Sequence, residues 1–314
     1  MEIKESFRTL DTERVRATAR GADPRFGDVR WSPVKSLWFT THAAVALIGG
    51  SLTFSPSAVL AGFATTIVTL CAGHSVGFHR LLVHRSFEVP KPLEHGLVYL
   101  GTLVGMGGPL AIIRMHDLRD WAQRHTRCHP FYIDAGPAWR DALWQLHGDL
   151  KLLRPPGVEI EPEVANDRFY VLLQRYWMLA QWPLAAALYA AGGPAFVIWG
   201  VSVRITVSLL GHWAVGYLAH NRGEAPRVQT GHAVQGRNVP WLGLLTMGEA
   251  HHNNHHAFPE SARLGLESGQ ADPGWWLIRT LEALGLAHAV RGPGGHASSP
   301  RDHARHADVF LSEP

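Results

Sequence analysis

From Ser36 to Phe78 the chain contains no Asp, Glu, Lys or Arg, and this run limits the possible folds more than any other feature. Two apolar stretches, 37–54 and 57–78, are joined there through the uncharged turn Thr53-Phe54-Ser55-Pro56-Ser57. A helix rises 1.5 Å per residue, so each stretch is close to the length needed to cross a hydrocarbon layer of about 30 Å. A pair of buried helices in a soluble core is the alternative, and the complete lack of acid or base argues against it. A second pair, 170–190 and 194–217, repeats the pattern around Ala190-Ala191-Gly192-Gly193-Pro194. The expected fold is therefore an all-α membrane protein with four transmembrane helices in two hairpins.

Charge orients these hairpins. Both short turns lack Lys and Arg, whereas residues 1–35, the long middle segment and the C-terminal segment are rich in them. The positive-inside rule places the termini and the middle segment in the cytoplasm. Arg175 and Arg204 are exceptions, and Arg204 falls near the middle of its span, where a charge must be buried and partnered. A third apolar stretch, 93–113, is interrupted by Gly101, Gly105 and Gly107-Gly108-Pro109. If it crossed, the histidines on either side would be separated by the membrane, so an interfacial or re-entrant position is expected.

A membrane domain over 36–290 would then follow a cytoplasmic segment, 1–35, whose charges give no sign of a cleavable leader. Residues 291–314, rich in Gly, Pro, Ser and charge, read as a disordered tail, and His296, His303 and His306 within it as non-ligands. Asp272-Pro273-Gly274-Trp275-Trp276 has the pattern of a capped helix start. A net charge of +3 without a basic stripe excludes a nucleic-acid partner. Cys71 and Cys128 cannot form a disulfide framework and fit a reducing compartment.

Twenty histidines are the compositional outlier. Four lie in the segment Gly248-Glu249-Ala250-His251-His252-Asn253-Asn254-His255-His256-Ala257-Phe258-Pro259. On a helix His252, His255 and His256 point to one side. His79 and His84 close the first hairpin; on an unbroken α-helix they would be about 140° apart, so a helix end or bend must bring them together. His125 and His129 stand at i, i+4, a spacing that lets two imidazoles bind one metal. His212 and His220 share a face of the last span. All these groups fall on one expected side of the membrane. Eight imidazoles exceed what one ion accepts and would serve two, and an all-nitrogen set suits iron, copper or zinc.

His79-Arg80-Leu81-Leu82-Val83-His84-Arg85-Ser86-Phe87, the pair at His125, the late His220 and the GEAHHNNHHAFP segment together resemble the integral-membrane fatty acid desaturases of the acyl-CoA desaturase type, over roughly 37–290. The resemblance implies a membrane bundle under a cytoplasmic helical cap that holds two iron ions, with O2 as co-substrate. It also implies an acyl chain in a bent hydrophobic tunnel. The implied ligands are His79, His84, His125, His129, His220, His252, His255 and His256. The chain departs from the family pattern twice, with Cys128 at a usual histidine and Gly216 at a usual asparagine. Cys128 or His212 would then supply a missing donor, as would His74 or His251. Glu249 is the carboxylate expected to act in catalysis by orienting the rings, ahead of Asp117, Asp120 and Asp134.

The expected reaction is O2-dependent introduction of a double bond into a fatty acyl chain linked to CoA, a carrier protein or a lipid. A membrane di-iron hydroxylase or a desaturase of a specialised lipid is the alternative within the same chemistry. A non-catalytic haem- or metal-binding membrane protein is the alternative from another class, but it would place ionisable groups along a path through the spans. No haem or flavin motif is fused, so the electron donor is expected to be a separate protein such as a ferredoxin or a cytochrome-b-type haem protein.

Overall fold

The computed structural model describes residues 14–16, 21–133 and 136–294. The expected tail beyond Gly294, with its three histidines, lies outside the described residues, as do Asp134 and most of the first 20 residues.

Helix α1 (33–52) begins at Pro33. Helix α2 (Pro56–Val83) follows after a three-residue turn. Pro56 occupies the first turn of α2, where its missing N–H is harmless, and the Ser55 hydroxyl accepts the Ala58 N–H. Helices α3 (Lys91–Leu103) and α4 (Pro109–Gln123) fill the region read as one interrupted stretch. Between them the chain turns through Gly105, at φ 89°. After α5 (Ala138–His147) and the amphipathic α6 (Arg168–Tyr176), α7 runs over Leu179–Asn221. It bends at Gly192 and Gly193, the latter at φ 66°, where the side-chain-free backbone accepts a conformation other residues avoid. Helices α8 (His252–Ala257) and α9 (Pro273–Ala283) are the last among the described residues, and Asp272 caps α9 by accepting the Trp275 N–H.

Two helices, α2 and α7, are long and apolar enough to cross a membrane. Their apolar residues do not gather inside: Leu47 of α1, Leu52, Leu60, Phe63 and Trp182 are all more than 60% exposed. The buried side chains cluster at the other end of α2, where Val76, Leu81 and Leu97 pack on Ile278, and Phe78 and Leu82 on Val98, Ile113 and Tyr170. Gly73 and Gly77 of α2 permit close approach of α3; a Cβ there would lie 2.4 and 2.5 Å from backbone atoms of Leu100 and Leu97.

The fold is not wholly helical. β1 (Val15–Arg16) pairs antiparallel with β4 (Gly157–Val158), and β2 (Asp23–Trp31) with β3 (Gly148–Arg154), from Asp23 opposite Arg154 to Trp31 opposite Gly148. The N-terminal polar segment thus ties to the middle of the chain. Arg14, almost fully buried, anchors it by donating to Val83 O at 2.9 Å and pairing with Glu161 at 2.8 Å.

Candidate metal centre

The end of α2 is wound in wide turns with i→i+5 hydrogen bonds, the last from His84 N to His79 O at 3.0 Å. Such π-type turns set residue i+5 nearly above residue i. They bring His79 and His84 together, with ring centroids 4.8 Å apart, where an α-helix would have splayed them. Pro109 starts α4 so that His116 arrives two turns later, and its Nε2 lies 3.3 Å from that of His84. His255 of α8 completes a group of four whose candidate donor atoms all lie within 4.8 Å of one another.

A second group forms beside it. His252 Nε2 stands 3.1 Å from His220 Nε2, at the end of α7, and 3.1 Å from His256 Nε2. The asparagines between these histidines hold the scaffold. Asn254 Nδ2 donates to Leu264 O at 2.7 Å and Asn253 Nδ2 to Gly236 O at 2.9 Å. Asn238 Oδ1 in turn accepts the N–H groups of Asn253 and Asn254, capping the helix from a distant segment. In HHNNHH, therefore, three histidines face the site while both asparagines face the protein. The fourth, His251, turns away, its Nε2 2.9 Å from Ala271 O.

Glu249 joins α2 to this segment. Its Oε2 is 2.6 Å from His79 Nδ1, and its Oε1 accepts from Ser75 Oγ at 2.5 Å. With this oxygen set against Nδ1, Nε2 is the nitrogen left to face a metal, a pairing of the carboxylate–histidine kind. Burial pushes the Glu249 carboxyl up, but His79 and Arg80 outweigh it and hold it well below its ordinary value. Arg80, itself buried, is fixed by Asp272 Oδ1 at 2.8 Å.

His125 and His129 stand apart from both groups. α4 ends at Gln123, so their i, i+4 spacing is not kept on a helix. His125 Nδ1 lies 2.7 Å from Trp121 O, and the His129 ring accepts the Phe131 N–H. Cys128 is buried among Ala122, Phe131, Tyr132 and Val234. His212 stacks edge-on against His74, centroids 5.1 Å apart, rather than entering either group. At Gly216 a Cβ would meet nothing within 4 Å. The sequence reading passed over His116. Its signal was a helix start at Gly108-Pro109 followed, seven residues on, by a histidine just ahead of the two aspartates, Asp117 and Asp120, already noted as candidate carboxylates.

Residues 54–281 match the fatty acid desaturase family. The chain belongs to that family. It is a fatty acyl desaturase, an oxidoreductase whose family activity is O2-dependent desaturation. It is 33% identical to an sn-2 palmitoyl-lipid 9-desaturase of Nostoc sp. (strain 36), over 92% of this chain and 97% of that one. It is 35% identical to an sn-1 stearoyl-lipid 9-desaturase of Anabaena variabilis, over 81% and 93%. It is also 33% identical to an icosanoyl-CoA 5-desaturase of Limnanthes douglasii, over 76% and 65%. The family resemblance read from the histidine segments is thus borne out.

Desaturases of this family are generally di-iron proteins, and the donor set of this one fits such a metal. Burial drives His84, His252 and His255 well below the ordinary imidazole value and His256 to about 3, neighbouring rings adding to the effect. The rings are therefore neutral, with lone pairs to give. His252 Nε2 faces two other Nε2 atoms at once, and one neutral imidazole nitrogen cannot satisfy both by hydrogen bonding. His255 Nδ1 is buried without a hydrogen-bond partner among the described residues. A cation resolves both deficits.

Proposed function

We propose that this desaturase is a di-iron enzyme of the membrane that acts on acyl chains esterified to lipid and places the double bond at carbon 9. The observation that carries this reading is the convergence of seven imidazoles into two adjacent groups, in a chain similar along nearly its whole length to lipid-linked 9-desaturases. His79, His84, His116 and His255 would hold one iron, and His220, His252 and His256 the other. Bound iron supplies the dioxygen-reducing redox chemistry that breaking a methylene C–H bond requires and that side chains lack.

The protein's own residues supply order. Glu249 and Ser75 fix the His79 ring, Asn238, Asn253 and Asn254 lock α8, and the burial of α2 and α8 excludes water. Two hydrogens leave adjacent carbons, and two electrons from a donor with two protons from solvent complete the reduction of O2 to two waters. That donor is a separate protein such as a ferredoxin or a cytochrome-b-type haem protein. Four spans in two hairpins, α1 with α2 and the two arms of α7 about Gly192–Gly193, carry both histidine groups at their cytoplasmic end. The exposed Leu47, Leu52, Leu60 and Phe63 at the other end support immersion in lipid.

The test is expression in a host whose lipids are fully saturated at carbon 9, followed by separation of glycerolipids from acyl-CoA. The expected result is a 9-unsaturated chain that appears first in the lipid fraction and is absent with His255→Ala. A double bond that appears first in acyl-CoA, or a hydroxylated product, would overturn the reading.

A further inference from the structure

Arg14 is far in sequence from every histidine of the site, yet its guanidinium reaches two of the segments that carry the first group. β1 is held against β4, and Glu159 N donates to Arg14 O at 2.9 Å, so the Arg14 backbone is fixed where its side chain turns inward. That side chain is 2% exposed. Its Nη1 donates to Val83 O at 2.9 Å and stands 3.5 Å from Asp117 Oδ2, while Nε donates to Glu161 at 2.9 Å on the other edge. A planar, rigid fork can hold such a set of acceptors at once, where a flexible ammonium cannot.

Two of the residues it holds adjoin histidines of that group. Val83 precedes His84, and the planar peptide between them joins Val83 O to His84 N. That N–H donates to His79 O at 3.0 Å, so the peptide is pinned at its oxygen by Arg14 and at its nitrogen by the turn that carries His79. Asp117 follows His116 on α4; it is fully buried, and its other oxygen, Oδ1, lies 3.6 Å from His116 Nδ1. The rings of His84 and His116 meet with their Nε2 atoms 3.3 Å apart. One side chain thus ties the backbone behind the first ring to the carboxylate beside the second. Among the described residues, Arg14 makes no hydrogen bond or ion pair to His220, His252 or His256 or to their chain neighbours.

We infer that Arg14 is a positioning residue for the first metal position: it fixes the end of α2 against α4 at the spacing that lets His84 and His116 face one ion. The N-terminal segment is then part of the metal-binding apparatus, and it serves one of the two positions only. The inference rests on the di-iron reading.

The test is equilibrium uptake of ferrous iron by the metal-free, detergent-purified full chain, which needs no turnover. The wild type is expected to take up two irons per chain. Arg14→Gln should bind one as tightly as the wild type and the other about 10–100-fold more weakly, the range typical of groups that orient a ligand. Combination assigns the position: Arg14→Gln added to His116→Ala should change nothing further, because both act on the same ion, whereas added to His220→Ala it should weaken the iron that remains. Asp167→Ala, which removes a helix cap outside both groups, should match the wild type. Wild-type uptake in Arg14→Gln overturns the inference, as does equal weakening at both positions, a further loss on top of His116→Ala, or a like loss in Asp167→Ala. If Arg14→Gln does not fold, Arg14→Lys, which keeps the charge but not the fork, takes its place with the same expected split, and wild-type uptake from it overturns the inference. Fewer than two irons in the wild type would overturn the di-iron reading itself and this inference with it.

Discussion

At the scale of single residues, the site was legible where the chain keeps regular spacing and obscure where it does not. His252, His255 and His256 could be read because they sit on one short α-helix. His79 and His84 were visible as histidines, but their convergence depends on i→i+5 turns that no 3.6-residue periodicity announces. His116 stands alone in sequence, so no repeat marked it. His125 and His129 are the opposite case: their spacing suits a metal on a helix, and the helix stops at Gln123. One comparison separates these cases. His116→Ala should reduce bound iron by about one ion per chain and lower metal affinity or activity by at least the 10–100-fold typical of even indirect metal partners. His125→Ala should leave both the iron content and the product yield near the wild type. Metal analysis of the two purified variants checks this.

At the scale of elements, the Asp272-Pro273 pair announced the helix start at Pro273, and absence of charge announced the long apolar helix α2. The strands were not legible. β2 (Asp23–Trp31) shows no regular alternation of apolar and polar residues, and its partner β3 lies more than a hundred residues away. Asp167 illustrates how one residue secures an element. Its Oδ1 accepts the N–H groups of Phe169 and Tyr170 at the start of α6, while Oδ2 contacts His95 at 2.9 Å and Lys91 at 3.0 Å. Burial raises its carboxyl, but the hydrogen bonds from His95 and Lys91 prevail and push it down to about 2 from an ordinary 3.8. A carboxyl depressed in the fold stabilises it above the ordinary value, and that stability is lost as pH falls toward 2. Asp167→Ala should therefore cost about 1 kcal/mol near neutrality from the lost cap. Its deficit relative to the wild type should shrink between pH 4 and 2, as read by thermal unfolding in detergent.

At the scale of the whole molecule, one end of the bundle is apolar outward and the other is polar inward, and this gradient supports the immersion in lipid proposed. In a chain carrying Cys71→Ser and Cys128→Ser, the substitutions Ser57→Cys and Ala191→Cys should react with an impermeant maleimide on intact cells. Arg222→Cys, at the opposite end of α7, should react only after lysis. Equal labelling at all three positions would sink the four-span arrangement. Arg204 carries a consequence of another kind. It is fully buried within α7, where its guanidinium bonds Gly200 O, Leu103 O and Gln181 Oε1. Alone in hydrocarbon such a side chain costs about 3 kcal/mol, and Leu103 O, at the end of α3, belongs to a segment synthesised long before. On the four-span arrangement proposed, α7 would supply two of the partners of this guanidinium and the earlier half of the chain the third, so the charge would be fully satisfied only once the two halves have met.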